Sequence, residues 1–337
     1  MVISDNGELN GQTGNGVLAF CEIDDGGLAP VALEALGAGA RLAAALGQDL
    51  SAVLVGVDVR GLIEEAIAYG ASRVYVVEDP SLQNCATEPY LQVLETVITQ
   101  ASPAIVLLGQ TQLGRDLAPW LAFRFDTGAT MDCMALEIDP QSKRLLMIRP
   151  VYGGNAVAVQ ICRADPQIAA IRLKAMAPAT KDDSRQGEVI DFASFLTLPA
   201  PRAKTRERKI EPTAGIKLDE ARVIVSGGRG IGSAAGFELL GELAGLLDAA
   251  VGATRPPCDA KWTSDNQQIG ITGKIVSPDL YIAVAISGAS QHVAGCSSSK
   301  VIVGINKDAE ANIFRVADYG IVDDWREVVP ALISALK

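Results

Sequence analysis

The stretch that decides the fold is Arg222–Gly230, RVIVSGGRG, which is followed by the largely apolar segment Ala234–Leu247. The run RVIVS is typical of a buried strand, the glycines of a tight turn, and the following segment is long enough for a helix. A strand that passes through a glycine-rich turn into a helix is the first half of a βαβ unit. The sequence therefore predicts a parallel sheet covered by helices.

The same alternation extends in both directions along the chain. Buried strands are predicted at Leu280–Ile286 and Val301–Ile305, and a closing helix at Trp325–Leu336. From Val17 to Phe125, short apolar runs again alternate with helical segments. Beyond Met131, strand-like runs follow one another through short turns, and we expect some of them to be antiparallel additions to the same sheet. The predicted fold class is α/β, with two doubly wound domains: an N-terminal mixed sheet and a C-terminal parallel sheet.

A length of 337 residues suits roughly two domains of ~150 residues each. Between Ala177 and Lys217 the hydrophobic periodicity fades, and prolines and basic residues become frequent. We therefore predict a flexible N-terminus (1–16), an N-terminal domain (17–196), a linker (197–216) and a C-terminal domain (217–337).

Composition excludes several classes of function. The chain has 29 basic and 40 acidic residues and a net charge of −11, which is a poor match to nucleic acid or an anionic membrane. No apolar run is long enough to span a bilayer, and the polar N-terminus does not resemble a signal peptide. The six cysteines form no CxxC pair, so we expect reduced thiols in a cytoplasmic protein. With His292 as the sole histidine, the sequence predicts no metal site.

Polar residues cluster at the predicted strand ends of the C-terminal half. The turn Ser226–Gly230 suits a phosphate because backbone N–H groups at a helix N-terminus face outward, and Arg229 adds a cation. A tight turn that binds nothing is the alternative. Five further clusters lie at other strand ends: Thr254–Arg255, Gly270–Gly273, Ser287–His292, Asn306–Asp308 and Asp323–Asp324. Since the carboxyl ends of parallel strands share one edge of a sheet, these clusters should lie together there. They predict an elongated crevice sized for a dinucleotide.

Two familiar nucleotide motifs do not fit. In a dinucleotide fingerprint that starts at Gly228, the third glycine position is Ser233, and no acidic residue follows the next strand. No Tyr-x-x-x-Lys pair is present. A P-loop fails as well, because Gly273-Lys274 is followed by Ile275 instead of Ser or Thr.

The motifs of both halves resemble those of the alpha subunit of electron-transfer flavoproteins, over nearly everything from Val17 to the C-terminus. The motifs that carry the resemblance are VSGGRG (225–230), VGATR (251–255), GITGK (270–274), LYIAVAISG (280–288), INKD (305–308) and ADYGIV (317–322), with GRDLAP (114–119) and YGGNA (152–156) in the N-terminal half.

The resemblance implies one noncovalently bound FAD, held mainly by the C-terminal domain at an interface with a beta subunit. Arg229 would lie near the diphosphate or the flavin, and Thr254 and Arg255 against the isoalloxazine ring. Asn306, Asp324 and Trp325 would hold the ADP half. The other implied contacts are Thr272 to flavin N5, a wall of Gln268, Ile269, Gly270 and Ile271, and a loop around the flavin of Ser287, Gly288, Ala289, Ser290, Gln291 and His292. The family commonly has Gln where this chain has Ile271.

Redox tuning is expected from Arg255, Thr272 and His292, because reduction places negative charge near flavin N1 and O2, where a donor or cation is stabilising. His292 is expected to face those atoms. The implied function is that of a bacterial electron carrier without substrate turnover. It would shuttle electrons from flavoprotein dehydrogenases to an acceptor such as a quinone reductase. Three alternatives stay open: a subunit of a flavin-based bifurcating complex that oxidises NADH, a nucleotide-dependent oxidoreductase, and a flavin-free nucleotide-binding module.

Overall fold

The structure, a computed structural model, describes residues 14–83, 87–154, 156–192, 216–218 and 221–337. The chain falls into two compact units: the first takes in Met1–Pro150 and Val157–Arg208, and the second Val151–Ala156 and Lys209–Lys337. The predicted N-terminal domain includes the short segment Val151–Ala156, whereas this segment groups with the second unit. The predicted linker, apart from Ile216, and residues 1–13 of the predicted flexible N-terminus lie outside the described residues.

In the N-terminal half, the strands are β1 (Val17–Cys21), β2 (Ile23–Asp24), β3 (Gly27–Leu28), β4 (Leu50–Gly56), β5 (Arg73–Glu78), β6 (Ile105–Gly109), β7 (Ala129–Cys133), β8 (Ala135–Ile138), β9 (Leu145–Val151), β10 (Ala156–Ile161), β11 (Gln167–Ile171) and β12 (Glu188–Asp191). The helices are α1 (Pro30–Leu46), α2 (Ile63–Ala68), α3 (Thr87–Ala101) and α4 (Gln112–Arg124).

The main sheet of the first unit has the order β12-β5-β4-β1-β6-β11-β7, and its neighbouring strands are all parallel. Alternate residues of β1 face two different cores: Ala19 and Cys21 pack in one, Leu18 and Phe20 in the other. A sheet buried on both faces needs strands that are almost entirely apolar. The strands of this sheet could therefore be predicted from apolar runs in the sequence.

The expected antiparallel additions form a sheet of their own. The order is β10-β9-β8, and β8 and β9 pair antiparallel. The strand-like sequence that begins at Met131 divides between the two sheets, because Asp132 adopts a left-handed conformation (φ 64°) and β7 ends at Cys133. Strand β12 was not predicted; it lies at the sheet edge, where its exposed residues follow no apolar pattern.

Helix α4 begins at the carboxyl edge of this main sheet. Thr111 is its N-cap: Oγ1 accepts a hydrogen bond from the Gly114 N–H (3.0 Å) and donates to the Glu22 carboxylate oxygens (2.9 and 2.8 Å). Burial raises the pKa of Glu22 to about 7, and the bond from Thr111 opposes that rise.

In the second unit, the strands are β13 (Val223–Gly227), β14 (Ala250–Ala253), β15 (Leu280–Val284), β16 (Val301–Ile305) and β17 (Tyr319–Ile321). The helices are α5 (Ala234–Leu246), α6 (Arg255–Asp259), α7 (Ser290–Cys296) and α8 (Trp325–Leu336). The sheet is parallel throughout, with the order β14-β13-β15-β16-β17. The chain reverses its direction of progress between β13 and β15, which is where α/β sheets bind ligands. The predicted class, α/β with two doubly wound domains, is confirmed.

Candidate functional site

A cavity of about 890 Å³ lies at the carboxyl edge of the β13–β17 sheet. This volume is near the top of the range of about 300–1,000 Å³ that cofactor sites occupy. Every site residue predicted from the sequence lines it, except Gly288 and Ser290. The predicted residues that it brings together are Arg229, Thr254, Arg255, Gln268, Ile269, Gly270, Ile271, Thr272, Ser287, Ala289, Gln291, His292, Asn306, Asp324 and Trp325.

Other residues complete the lining. Gly228, Gly230, Lys307 and Asp308 belong to clusters already predicted to form the crevice, whereas the following residues were not predicted: Pro256, Ala285, Ile286, Glu310, Ala311, Asn312 and Arg326. Most directly follow a strand end already singled out, so their position in the sequence was the available signal. Gly288 (φ 80°) shapes the cavity loop from behind: a Cβ there would lie 2.2 Å from the Ile313 nitrogen.

The glycine-rich turn after β13 packs directly on backbone. The Gly228 N–H donates to the Val284 carbonyl oxygen at 2.9 Å, and a Cβ on Gly228 would lie 2.1 Å from the Ala285 carbonyl oxygen. Ala285 itself has a positive φ of 51°, a conformation that costs of order 1 kcal/mol and occurs at ligand sites. The turn therefore keeps its backbone close to the floor of the cavity and leaves Arg229 exposed above it.

Trp325, which begins α8, supports this turn although it lies far from it in the sequence. Its indole Nε1–H donates to the Gly230 carbonyl oxygen at 3.1 Å, and the Arg326 guanidinium lies 5.2 Å from the ring centroid. Asp324 is the N-cap of α8 and accepts from the Arg326 N–H at 2.9 Å, a bond that lowers the pKa of Asp324. These contacts fix the position of the α8 N-terminus against the glycine-rich turn.

Arg255 begins α6 directly after Thr254. Its Nε lies 3.3 Å from the Asp259 carboxylate, and both side chains are more than half exposed. Such a pair stabilises a helix only slightly, about 0.3–0.5 kcal/mol, so the guanidinium can change partners at little cost. The contact of Arg255 with a flavin ring that the resemblance implies would require the guanidinium only to leave the Asp259 carboxylate.

Residues 268–272 form a wall of the cavity and lie beside the end of β14. The Ile269 N–H donates to the Ala253 carbonyl oxygen (2.9 Å), and the Gln268 side-chain amide donates to Thr272 Oγ1 (2.9 Å). Gly270 has a φ of 146°, which a side chain would rarely adopt. On the neighbouring loop, the Asn306 amide donates to the Ile286 carbonyl oxygen at 2.9 Å and accepts from the Asp308 N–H at 3.0 Å.

His292 lines the cavity but is buried, and both of its ring nitrogens have partners in the protein. Nδ1 lies 3.0 Å from the Ile269 carbonyl oxygen, and Nε2 lies 2.9 Å from the Tyr281 hydroxyl. Burial lowers the pKa of His292. The donor role expected towards a flavin would require His292 to exchange one of these bonds.

Comparison with known proteins identifies the family. Residues 17–194 match the model described as "Electron transfer flavoprotein domain", and residues 217–297 match "Electron transfer flavoprotein FAD-binding domain". The chain belongs to the alpha-subunit family of electron transfer flavoproteins. The "Electron transfer flavoprotein subunit alpha" of Thermoanaerobacterium thermosaccharolyticum is 44% identical over 319 residues, which cover 94% of this chain and 96% of that protein. The same-named protein of Bacillus subtilis is 44% identical over 325 residues, covering 96% and 98%.

Some relatives bear other names. The "Lactate dehydrogenase (NAD(+),ferredoxin) subunit LctC" of Acetobacterium woodii is 34% identical over 327 residues, which cover 96% of this chain and 77% of that protein. Membership of the family makes FAD the cofactor of this chain and electron transfer its function. Within the described ranges, no helix is long and apolar enough to cross a membrane, and no group of three or more His, Cys, Asp or Glu residues could hold a metal ion.

Proposed function

We propose that FAD occupies the cavity of the second unit and that this chain moves electrons without turning over a substrate of its own. The observation that carries the proposal is the cavity itself: about 890 Å³, at the turning point of a parallel sheet, with a glycine-rich turn at its floor. The chemistry of the lining fits the group, because backbone amides and Arg229 suit a diphosphate, while Thr254 and Ile271 border space for a flat ring.

We assign the residues to the two halves of FAD as follows. Arg229 and the amides of the glycine-rich turn would hold the diphosphate. Thr254, Arg255 and the 268–272 wall would hold the isoalloxazine ring, and residues 287–292 would form the loop around it. Asn306 and Asp324 would hold the ADP half, with Trp325 acting by fixing the turn at Gly230. Bound FAD supplies one- and two-electron redox chemistry, and the exposed Arg255 cation would stabilise negative charge on the ring.

The partner that we propose is an electron transfer flavoprotein beta subunit, docked on the small antiparallel sheet of the first unit. Strand β10 is an edge of that sheet, and alternate residues present apolar side chains to solvent: Val157, Val159 and Ile161 are 57%, 59% and 41% exposed. An exposed apolar edge strand is an aggregation hazard unless a partner covers it.

Val159→Glu should therefore abolish copurification with the beta subunit, because the interface would bury an unpaired charge. Leu246→Glu, at a similarly exposed apolar position (40%) in the second unit, serves as the control and should leave copurification intact. Equal recovery of the beta subunit with both variants would place the interface elsewhere.

For the electron partners we propose flavoprotein dehydrogenases as donors and a quinone reductase or similar protein as acceptor. A bifurcating complex that oxidises NADH is the second candidate, and the 34% identity to LctC favours it as an alternative. We further propose a cytoplasmic location: Cys21, Cys133, Cys162, Cys258 and Cys296, all within the described residues, are free thiols, as a reducing compartment requires.

The test is the visible absorption spectrum of the chain purified together with its beta subunit, combined with identification of the released cofactor. A flavin spectrum, FAD in the supernatant after denaturation and one FAD per second unit would support the proposal. A colourless protein that binds ATP would favour the nucleotide-binding module, and a bound nicotinamide signal without flavin would favour the oxidoreductase.

A further inference from the structure

The only histidine of the chain, His292, lies in the first part of α7 beside the cavity, 6% exposed. Its two ring nitrogens bond to two different elements: the 268–272 wall through Ile269, and the central strand β15 through Tyr281. Because both bonds are made within the protein, the imidazole links the middle of the sheet to the cavity wall.

The hydrogen-bonding partners of His292 determine which of its ring nitrogens carries a proton. A carbonyl oxygen only accepts, so the 3.0 Å contact with Ile269 requires a proton on Nδ1. Burial disfavours the imidazolium ion, so the ring is neutral and Nε2 carries a lone pair. The Tyr281 hydroxyl, 2.9 Å away, must then donate to Nε2.

The Tyr281 hydroxyl keeps its proton to donate, and the side chains of Ser226 and Cys296 are its other hydrogen-bonding neighbours. Its side chain is fully buried in the core of the second unit, and burial raises its pKa well above the ordinary value. The two rings lie 6.0 Å apart between centroids, tilted by 49°. The position of the phenol is therefore set by strand packing, and it holds the imidazole in one orientation.

The wall and α7 are joined backbone to backbone around this contact. The Ile271 N–H donates to the Gln291 carbonyl oxygen at 2.9 Å, and the Val276 N–H to the Gly295 carbonyl oxygen at 2.8 Å. A Cβ on Gly295 would lie 2.5 Å from the Gly270 nitrogen. With no side chain between them, the wall and α7 are in direct backbone contact beside the His292 ring.

We propose that Tyr281 is a positioning residue of the FAD site: by donating to His292 Nε2 it holds the ring neutral, so that His292 ties Ile269 and the cavity wall to α7 instead of presenting a cation to the cofactor. This inference rests on the proposed function, because that proposal makes FAD the cofactor that the wall contacts. The hydrogen bonds from Tyr281 to His292 and from His292 to Ile269 are independent of the proposed function.

The first test uses the single histidine. The full chain, labelled with [15N]histidine and free of flavin, gives ring-nitrogen signals from His292 alone. At pH 7 we expect a protonated Nδ1 and an unprotonated, hydrogen-bonded Nε2. A protonated Nε2, in either the other tautomer or the cation, would overturn the proposal whether or not any variant folds.

The second test measures FAD affinity. Tyr281→Phe keeps the ring but leaves Nε2 buried without its donor, and we expect the Kd for FAD, measured in complex with the beta subunit, to rise about tenfold and the Nε2 signal to shift. Tyr90→Phe removes a buried hydroxyl that donates to the Leu82 carbonyl oxygen in the first unit; it should change neither.

The outcomes separate the two proposals. If the wild-type complex binds FAD and Tyr281→Phe leaves the Kd unchanged, the positioning role is wrong while the proposed function stands. If the wild-type complex fails to bind FAD although the nitrogen signals are as expected, the hydrogen-bonded chain stands and the cofactor assignment is wrong.

Discussion

The close approach of the glycine-rich turn to strand β15 makes Gly228→Ala the most informative single substitution. The backbone of Gly228 (φ −95°, ψ −179°) is open to any residue, so alanine brings no conformational strain. Its Cβ, however, would lie 2.1 Å from the Ala285 carbonyl oxygen, and real Cβ contacts are essentially never under 3.0 Å. The two backbone segments must therefore separate by about 0.9 Å.

The expected magnitude follows from two effects. Overpacking a well-packed site costs about 1–3 kcal/mol, and the separation weakens the bond from the Gly228 N–H to the Val284 carbonyl oxygen, about 1 kcal/mol more. We expect Gly228→Ala to destabilise the second unit by about 2–4 kcal/mol and to lose FAD on gel filtration.

Urea unfolding followed by tryptophan fluorescence measures this loss in a Trp120→Phe background, because the two remaining tryptophans, Trp262 and Trp325, both belong to the second unit. The matched control is Gly241→Ala in the middle of α5, where an added Cβ meets no atom within 4 Å; it should stabilise by about 0.5–1 kcal/mol through helix propensity. A Gly228→Ala midpoint equal to that of Gly241→Ala would refute the close approach.

Three further predictions concern other parts of the two units. Because the pKa of Glu22 is raised to about 7 in the folded chain from 4.5, folding takes up a proton between these values, so stability should fall as pH rises from about 4.5 to 7, by up to about 3 kcal/mol. Glu22→Gln should flatten that slope in urea titrations at several pH values; an unchanged slope would contradict the burial of this carboxyl. Arg144→Ala leaves the nearly buried Asp165 without its 2.9 Å ion-pair partner and should destabilise the first unit by about 3–5 kcal/mol, measured by urea unfolding. Trp325→Phe removes the donor to Gly230 and should weaken FAD binding by about 1 kcal/mol in a fluorescence titration, and unchanged affinity would show that the turn needs no such support.

Much of the fold could be predicted because buried parallel strands consist almost entirely of apolar residues. Strand β15 is an uninterrupted run of this kind and β4 contains one polar residue, Ser51; their boundaries follow from the polar turns beside them. Strand β12 could not be found in the same way, since an edge strand buries little side chain. The division between β7 and β8 depends on the backbone conformation of Asp132, which the sequence does not reveal.

The site was predictable to the extent that it is built from strand ends. Arg229, Thr254 and Asn306 each follow a strand, and the parallel sheet brings those ends to one edge. The partners of His292 were not predictable: Tyr281 lies eleven residues earlier, in the interior of a strand, and only the folding of α7 back over β15 brings the two rings together. Sequence patterns show which residues reach the edge of a sheet but not which of their hydrogen-bonding atoms are already occupied.

The bond from Trp325 to Gly230 joins residues separated by 95 positions. The glycine-rich turn after β13 thus takes one of its supports from α8, which is synthesised long after the turn itself. An unfinished chain still emerging from the ribosome, or one clipped before residue 325, would have the strand, the glycines and Arg229 in place but not the indole that braces them. Coenzyme loading should accordingly await the synthesis of α8, so products truncated before residue 325 would remain colourless.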